Sequence, residues 1–146
     1  MVQAISLAEI YEKIIAGGSP APALAEFFLA FDRACTVEML MGALEPVPPL
    51  TGDIRLDALA GAIADYLARQ HRLMPIPQWV FEDSRFLDHA WHTCPFDDLA
   101  LREYLTFVSP GEFKTRNIFT DERPTRPEGT HLLLTLRSMG PGSTKR

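Results

Sequence analysis

The chain has 146 residues, of which 47% are hydrophobic and 23% are charged, values typical of one soluble globular domain with a sizeable core. Its net charge of -5 argues against a general affinity for nucleic acid, which needs a basic face to displace counterions. Two cysteines are too few for a disulfide framework, and no apolar run approaches the ~20 residues of a membrane span. With no signal-peptide pattern at the start, we expect a cytoplasmic protein without membrane contact.

Two helices are predicted at the start of the chain. Ser6 and Glu9 have the spacing of a capping box, and Gly17 is typical of a helix end. A second helix is expected from Ser19 and Pro20, because proline is tolerated in the first turn. Its apolar residues recur at the spacing of a buried stripe: Leu24, Phe27, Phe28 and Phe31.

The clearest helix is predicted to begin after Asp53 and to end near His71. Its apolar stripe is Leu56, Leu59, Ala60, Ile63 and Leu67. A shorter helix, capped by Thr36, is expected before it, and the proline-rich residues 45–52 separate the two. We therefore expect the other helices to pack around the one that follows Asp53.

Three further short helices are predicted in the second half. Residues 84–93 have the pattern of a helix that carries Phe86, Leu87 and Trp91. Asp97 or Asp98 is expected to cap the next helix. The stretch 109–112 has the capping-box pattern of a helix that stops near residue 117.

The character of the chain changes after Asp121. Residues 124–130 are rich in turn formers, 131–137 fit a strand, a helix or a stray apolar run, and 140–146 have a disordered composition. The prediction is an all-α fold, a compact bundle of about six short to medium helices. Residues 1–121 form a single helical domain, and 122–146 form a linker with a flexible or loosely attached C-terminal tail.

No complete catalytic or metal-binding pattern is present. His89, His92 and Cys94 resemble part of a zinc set, but a fourth ligand with suitable spacing is missing. His92 and Cys94 also suggest a nucleophile and its base, yet residues two apart at a helix end do not face each other. The acid pairs 82–83 and 97–98 lie at expected helix starts, where the helix dipole accounts for them, and the pair 121–122 precedes the predicted linker. We predict no catalytic residue, no metal, no cofactor and no enzymatic activity.

Basic and aromatic residues alternate near the end of the predicted domain. The cations are Arg102, Lys114, Arg116, Arg123 and Arg126, and the aromatic residues are Tyr104, Phe107, Phe113 and Phe119. Such a mixture suits single-stranded nucleic acid, and it also suits a protein interface, where Arg and aromatic residues are common anchors. The phenylalanines fit core spacing as well, so the pattern leaves these alternatives open.

Four sequence pieces occur together: P-x-W-V at 77–80, D-x-R-x-D-A-L at 53–59, L-x-x-x-W at 87–91 and S-P-x-x-F-x-x-R-N-I-F at 109–119. Together they resemble the helical C-terminal part of a bacterial family often encoded beside nucleotidyltransferase-like toxins. Fuller members frequently carry an N-terminal helix-turn-helix, which is not evident in this sequence. The resemblance covers about residues 50–121 and implies an antitoxin-like role.

We therefore predict a non-enzymatic helical interaction protein that occludes a partner protein, such as a nucleotidyltransferase-like toxin. Trp79, Trp91, Arg116 and Asn117 are the predicted partner-binding residues, although buried structural roles suit both tryptophans equally well. The alternative is a nucleic-acid-binding or transcription-regulatory module that uses the basic and aromatic residues between 102 and 126.

Overall fold

A computed structural model describes residues 5–94 and 96–139 of the chain. Its α-helices are α1 (Leu7–Ile15), α2 (Pro20–Asp32), α3 (Val37–Leu44), α4 (Ile54–Gln70), α5 (Leu99–Val108), α6 (Gly111–Lys114) and α7 (His131–Met139). Two 3₁₀ turns (Gln78–Phe81 and Asp83–Arg85) and two short strands, β1 (Trp91–His92) and β2 (Ile118–Phe119), complete the described elements. The predicted all-α class is confirmed. No helix within the described ranges has the length and apolar character needed to cross a bilayer.

The first helices begin where their capping residues predict. The Ser6 hydroxyl accepts from the Glu9 amide at 3.1 Å, and the Glu9 carboxylate accepts from the Ser6 amide at 2.9 Å, which completes the capping box of α1. Thr36 caps α3 through the amide of Met39. These contacts satisfy amide groups that have no partner inside their own helices.

Helix α4 is the centre of the fold. Asp53 caps it as predicted, and His71 terminates it. Thirteen of its residues are buried, because helices α3 and α6 and both 3₁₀ turns pack around it. The charged side chains of Asp57 and Asp65 are buried together with the apolar ones. An amphipathic surface helix would instead keep its charged residues on the exposed face.

The predicted helix over residues 84–93 is wrong. This segment is extended after its 3₁₀ turn, and β1 pairs in parallel with β2, so that Trp91 lies opposite Ile118. The amides of Leu87, Trp91 and Thr93 donate to carbonyl groups of residues 116, 117 and 119. The apolar spacing that suggested a helix arises because Leu87 and Trp91 are both buried from an irregular segment.

Two capping predictions near α5 and α6 had different outcomes. Asp98 caps α5 through the Leu101 amide, as expected. Ser109, in contrast, does not cap α6, and Pro110 occupies the cap position without a side-chain hydrogen bond. The Ser109 hydroxyl instead accepts from the Thr120 amide at 2.7 Å and contacts the carbonyl of Leu105. A capping-box pattern was therefore overridden by a tertiary contact.

The predicted domain boundary after residue 121 requires correction. Residues 131–139 form α7, which packs on α2 and places Leu132 and Leu136 entirely inside the core. The Asp121 carboxylate accepts from the amides of His131 at 3.0 Å and Leu132 at 3.0 Å. It thus caps a helix that begins ten residues later, and Thr130 adds a bond to Leu133. The predicted disorder of residues 140–146 lies outside the described residues.

Asp121→Ala is expected to lower the free energy of unfolding by about 1 kcal/mol, because two amides at the start of α7 would lose their acceptor. Chemical denaturation followed by circular dichroism measures the change. Glu122→Ala is a suitable control, since Glu122 is adjacent and exposed. Equal stability of the two variants would contradict the capping role of Asp121.

Candidate functional site

Both tryptophans predicted to contact a partner are buried. Trp79 is 5% exposed, donates its indole N–H to the carbonyl of Leu44 at 3.0 Å, and lies under the guanidinium of Arg85. Trp91 is 3% exposed, and the guanidinium of Arg55 lies 5.3 Å from its ring centre. Their contacts are internal, which agrees with the alternative of structural roles.

Arg116 is also part of the core, with only 1% of its surface exposed. Its guanidinium contacts the Asp65 carboxylate at 3.0 Å and the carbonyls of Glu112 and Val80 at 2.9 and 2.6 Å. Burial lowers the pKa of Arg116 from its ordinary value, whereas the Asp65 carboxylate acts in the opposite direction. The side chain therefore joins α4, α6 and the first 3₁₀ turn.

Asn117 is partly buried and has a positive φ of 65°, a conformation that Asn tolerates better than most residues. Its side-chain amide donates to the carbonyl of Leu87 at 2.7 Å, beside the β1–β2 pair. With Trp79, Trp91 and Arg116, it holds the 78–93 segment against α4 and β2. These four side chains expose little surface for a partner that binds this conformation. Their predicted role as surface anchors is therefore corrected to a structural one.

A second buried arginine was missed at the sequence level. Arg85 is buried beside Gly61, and its guanidinium donates to the carbonyls of Pro48 at 2.7 Å and Asp57 at 3.3 Å. A methyl group on Gly61 would lie 2.8 Å from the Arg85 Cβ and 3.2 Å from the Arg116 Nε. In the sequence, Gly61 inside an otherwise strong helix pattern was the one indication that another side chain packs closely against this helix.

Helix α5 carries several exposed apolar side chains. Leu105 is its one fully buried residue, whereas Leu99 is 69% and Phe107 84% exposed. Tyr104 and the preceding Phe96 are also exposed. We call Leu99, Tyr104 and Phe107 the α5 face. Such a cluster on one helix is the type of surface that marks an interaction site.

A groove of about 370 Å³ runs beside the α5 face. Its walls include His92, Arg102, Glu103, Phe107 and Lys114. The His92 ring stacks on Phe119 with 4.9 Å between centroids, and its Nε2 lies 2.8 Å from the Thr106 hydroxyl. These contacts attach the strand pair to α5 and make the groove floor a packed surface.

His92 and Cys94 were considered above for metal binding or catalysis, and the structure gives the surroundings of both side chains. Burial, followed by the charge of Arg102, lowers the pKa of His92, and burial raises the pKa of the Cys94 thiol. Reactive cysteines have a lowered thiol pKa, so the shift at Cys94 is in the opposite direction. Within residues 5–94 and 96–139, no three His, Cys, Asp or Glu side chains are grouped closely enough to hold a metal ion.

The basic and aromatic residues predicted to form one patch are separated in the fold. Arg116 and Phe113 are buried. Arg102 lies on α5 and lines the groove described above, whereas Arg123 and Arg126 line a different cavity together with the acidic Asp32 and Glu122. The continuous stacking surface required by the nucleic-acid alternative is therefore interrupted.

Comparisons of the chain with protein-family models, with curated proteins and with solved structures gave no match.

Proposed function

We propose that this chain is a non-enzymatic interaction protein that binds a partner protein through the α5 face. The observation that carries the proposal is the exposure of Leu99 and Phe107 on one helix that contributes a single fully buried residue to the fold. Eight residues of helix place the two side chains about 12 Å apart on the same side. Single exposed apolar residues are normal, but an aligned set on a weakly packed helix supports docking.

The charges beside the α5 face favour a partner with an acidic margin. Arg102 and Lys114 line the adjacent groove, and Glu103 is the one acidic side chain with them. The Lys114 ammonium donates to the carbonyl of Phe107 at 3.3 Å, so a positive charge is held at the edge of the apolar residues. An apolar patch with acidic neighbours would complement this surface in both hydrophobicity and charge.

The resemblance to an antitoxin-like family supports a more specific form of the proposal. In that form the partner is a nucleotidyltransferase-like toxin in the cytoplasm, and binding keeps substrate out of the toxin's cleft. Helix α5, residues 99–108, lies within the stretch of about residues 50–121 that carries the resemblance. The buried core around α4 would then serve to hold α5 in place.

The test is co-expression with the product of the adjacent gene, followed by measurement of affinity. A stoichiometric complex is expected, and L99E together with F107E should weaken it at least about 30-fold, because two buried charges replace two apolar anchors. Both side chains are highly exposed, so the double variant should fold like the original chain. Circular dichroism checks that requirement.

The matched control is V37E with L50E, which adds the same charges at exposed apolar positions outside α5. Absence of a complex would overturn the toxin-binding form, and equal weakening by both double variants would overturn the α5 assignment. A homodimer in sedimentation that L99E and F107E dissociate would show that a second copy occupies the face. Binding to oligonucleotides that falls steeply with salt would favour the nucleic-acid alternative.

A further inference from the structure

A second exposed apolar surface lies at residues 45–50, with the sequence EPVPPL, which we call the proline segment. Val47 and Leu50 are 55% and 56% exposed, and Ile54 follows at 71%. Outside the stretch 96–107, no other ten consecutive residues in the described part of the chain contain three large exposed apolar side chains. Exposed apolar side chains are therefore concentrated in two places, near α5 and at the proline segment.

Contacts on its inner side hold the proline segment in place. The guanidinium of Arg85 donates to the carbonyl of Pro48 at 2.7 Å, and just after the segment the Thr51 amide and hydroxyl donate to the Asp57 carboxylate, each at 2.8 Å. Three of the six residues are prolines, whose rings fix φ at about −65°, close to the polyproline II value. A segment that is already fixed loses little conformational freedom when it binds.

The charge around the proline segment is opposite in sign to that of the groove beside the α5 face. No lysine, arginine or histidine occurs in residues 34–54, and the side chains of Glu38 and Glu45 are exposed there. The groove has the cations of Arg102 and Lys114 against one carboxylate. An apolar surface with acidic neighbours is the type that complements the α5 face, and this chain carries such a surface itself.

We propose that the proline segment of one copy of this chain binds in the groove beside the α5 face of a second copy. Val47 and Leu50, three residues apart, share a side of a polyproline II helix and span about 9 Å. That span is shorter than the rise of about 12 Å from Leu99 to Phe107 along α5. The apolar side chains would pack on each other, and Glu45 would face the cations of the groove.

The contact is head-to-tail, because it joins two different surfaces of the chain. It does not form within one copy in the described structure, since no residue of the proline segment lines the groove of its own chain. The inference rests on the proposed function, because it uses the α5 face as a docking surface. Its consequence is regulatory, since self-association covers the α5 face until a partner protein displaces the second copy.

Sedimentation velocity of the full chain over a range of concentrations tests the self-association. We expect a dissociation constant of about 10–500 μM, because a segment of this length buries less area than a stable dimer interface. A chain that remains monomeric at about 1 mM would overturn the inference.

Two double variants decide which surfaces meet. L99E with F107E alters the groove, and V47S with L50S alters the proline segment, so each protein alone should be monomeric where the original chain associates. An equimolar mixture of the two should form a heterodimer, because it contains one intact groove and one intact segment. A mixture that stays monomeric would overturn the head-to-tail contact.

Two further variants test specificity and charge. I15S with L29S changes exposed apolar residues of α1 and α2 and should associate like the original chain. E45K should weaken the association about tenfold, because it places a cation beside the cations of the groove. Unchanged association of E45K would contradict the charge complementarity. Circular dichroism checks that each variant is folded.

The complex with the product of the adjacent gene separates this inference from the proposed function. V47S with L50S should bind that protein at least as tightly as the original chain, because only the competing copy is lost. If that complex forms and L99E with F107E weakens it while the chain stays monomeric, only the self-association is overturned. If neither complex forms, the docking role of the α5 face is overturned as well.

Discussion

Replacement of Asp65 by Ala is expected to lower the free energy of unfolding by about 3–5 kcal/mol, the usual result of breaking a buried ion pair. The Asp65 carboxylate lies 3.0 Å from the guanidinium of Arg116, and both side chains are almost completely buried. Without it, the Arg116 cation would stay in the core with only the carbonyls of Glu112 and Val80 as acceptors. Denaturation in urea measures the change.

The control for this result is Arg69→Ala, which removes the other cation bound to Asp65. Arg69 contacts the same carboxylate at 2.7 Å, but half of its side chain is exposed. Its loss is expected to change the free energy of unfolding by about 0.2–1 kcal/mol, as for exposed pairs. If D65A and R69A were equally destabilising, burial of the Asp65–Arg116 pair would not be the source of the effect.

Gly61→Ala and Gly42→Ala are expected to change stability in opposite directions. At Gly61 the new methyl group would meet Arg85 at 2.8 Å and Arg116 at 3.2 Å, so overpacking should lower the free energy of unfolding by about 1–3 kcal/mol. At Gly42, inside α3, nothing lies within 4 Å of the added carbon. There the higher helix propensity of alanine should raise the free energy of unfolding by about 0.4–1 kcal/mol.

The comparison of the two glycine variants separates helix propensity from packing. Thermal and urea unfolding of both proteins should be measured under the same conditions, with circular dichroism to check that helix content is kept. A stabilised G61A protein would mean that Arg85 and Arg116 move aside easily. It would also contradict the close approach of these side chains to α4.

The burial of Arg85 and Arg116 explains how an irregular segment can be held firmly in a helical protein. Residues 78–93 form few regular backbone contacts of their own. The two guanidinium groups bind the carbonyl oxygens of Pro48, Val80 and Glu112, which lie outside the long helices, and Arg85 also contacts the carbonyl of Asp57 in the first turn of α4. These arginines therefore replace the missing backbone bonds, which is a structural use of residues that sequence reasoning assigns to surfaces.

Local signals determined most of the helix starts. Ser6 with Glu9, Thr36, Asp53 and Asp98 act within three residues of their own position, so the sequence alone identifies them as caps. The apolar periodicity that follows each of them predicts an all-α class. Neither signal requires knowledge of any distant residue.

Tertiary structure decided the features that depend on contacts between distant residues. Asp121 has the local appearance of a domain end, yet it caps α7, and Arg116 resembles a surface anchor, yet its partner Asp65 lies 51 residues away. Leu99 and Phe107 have large apolar side chains of the kind that usually fill a core, yet both are exposed in the fold. The physical reason is common to all of them. Helix formation follows from interactions over three or four residues. The burial of a side chain and its ion-pair partner depend instead on which segments the complete fold brings together.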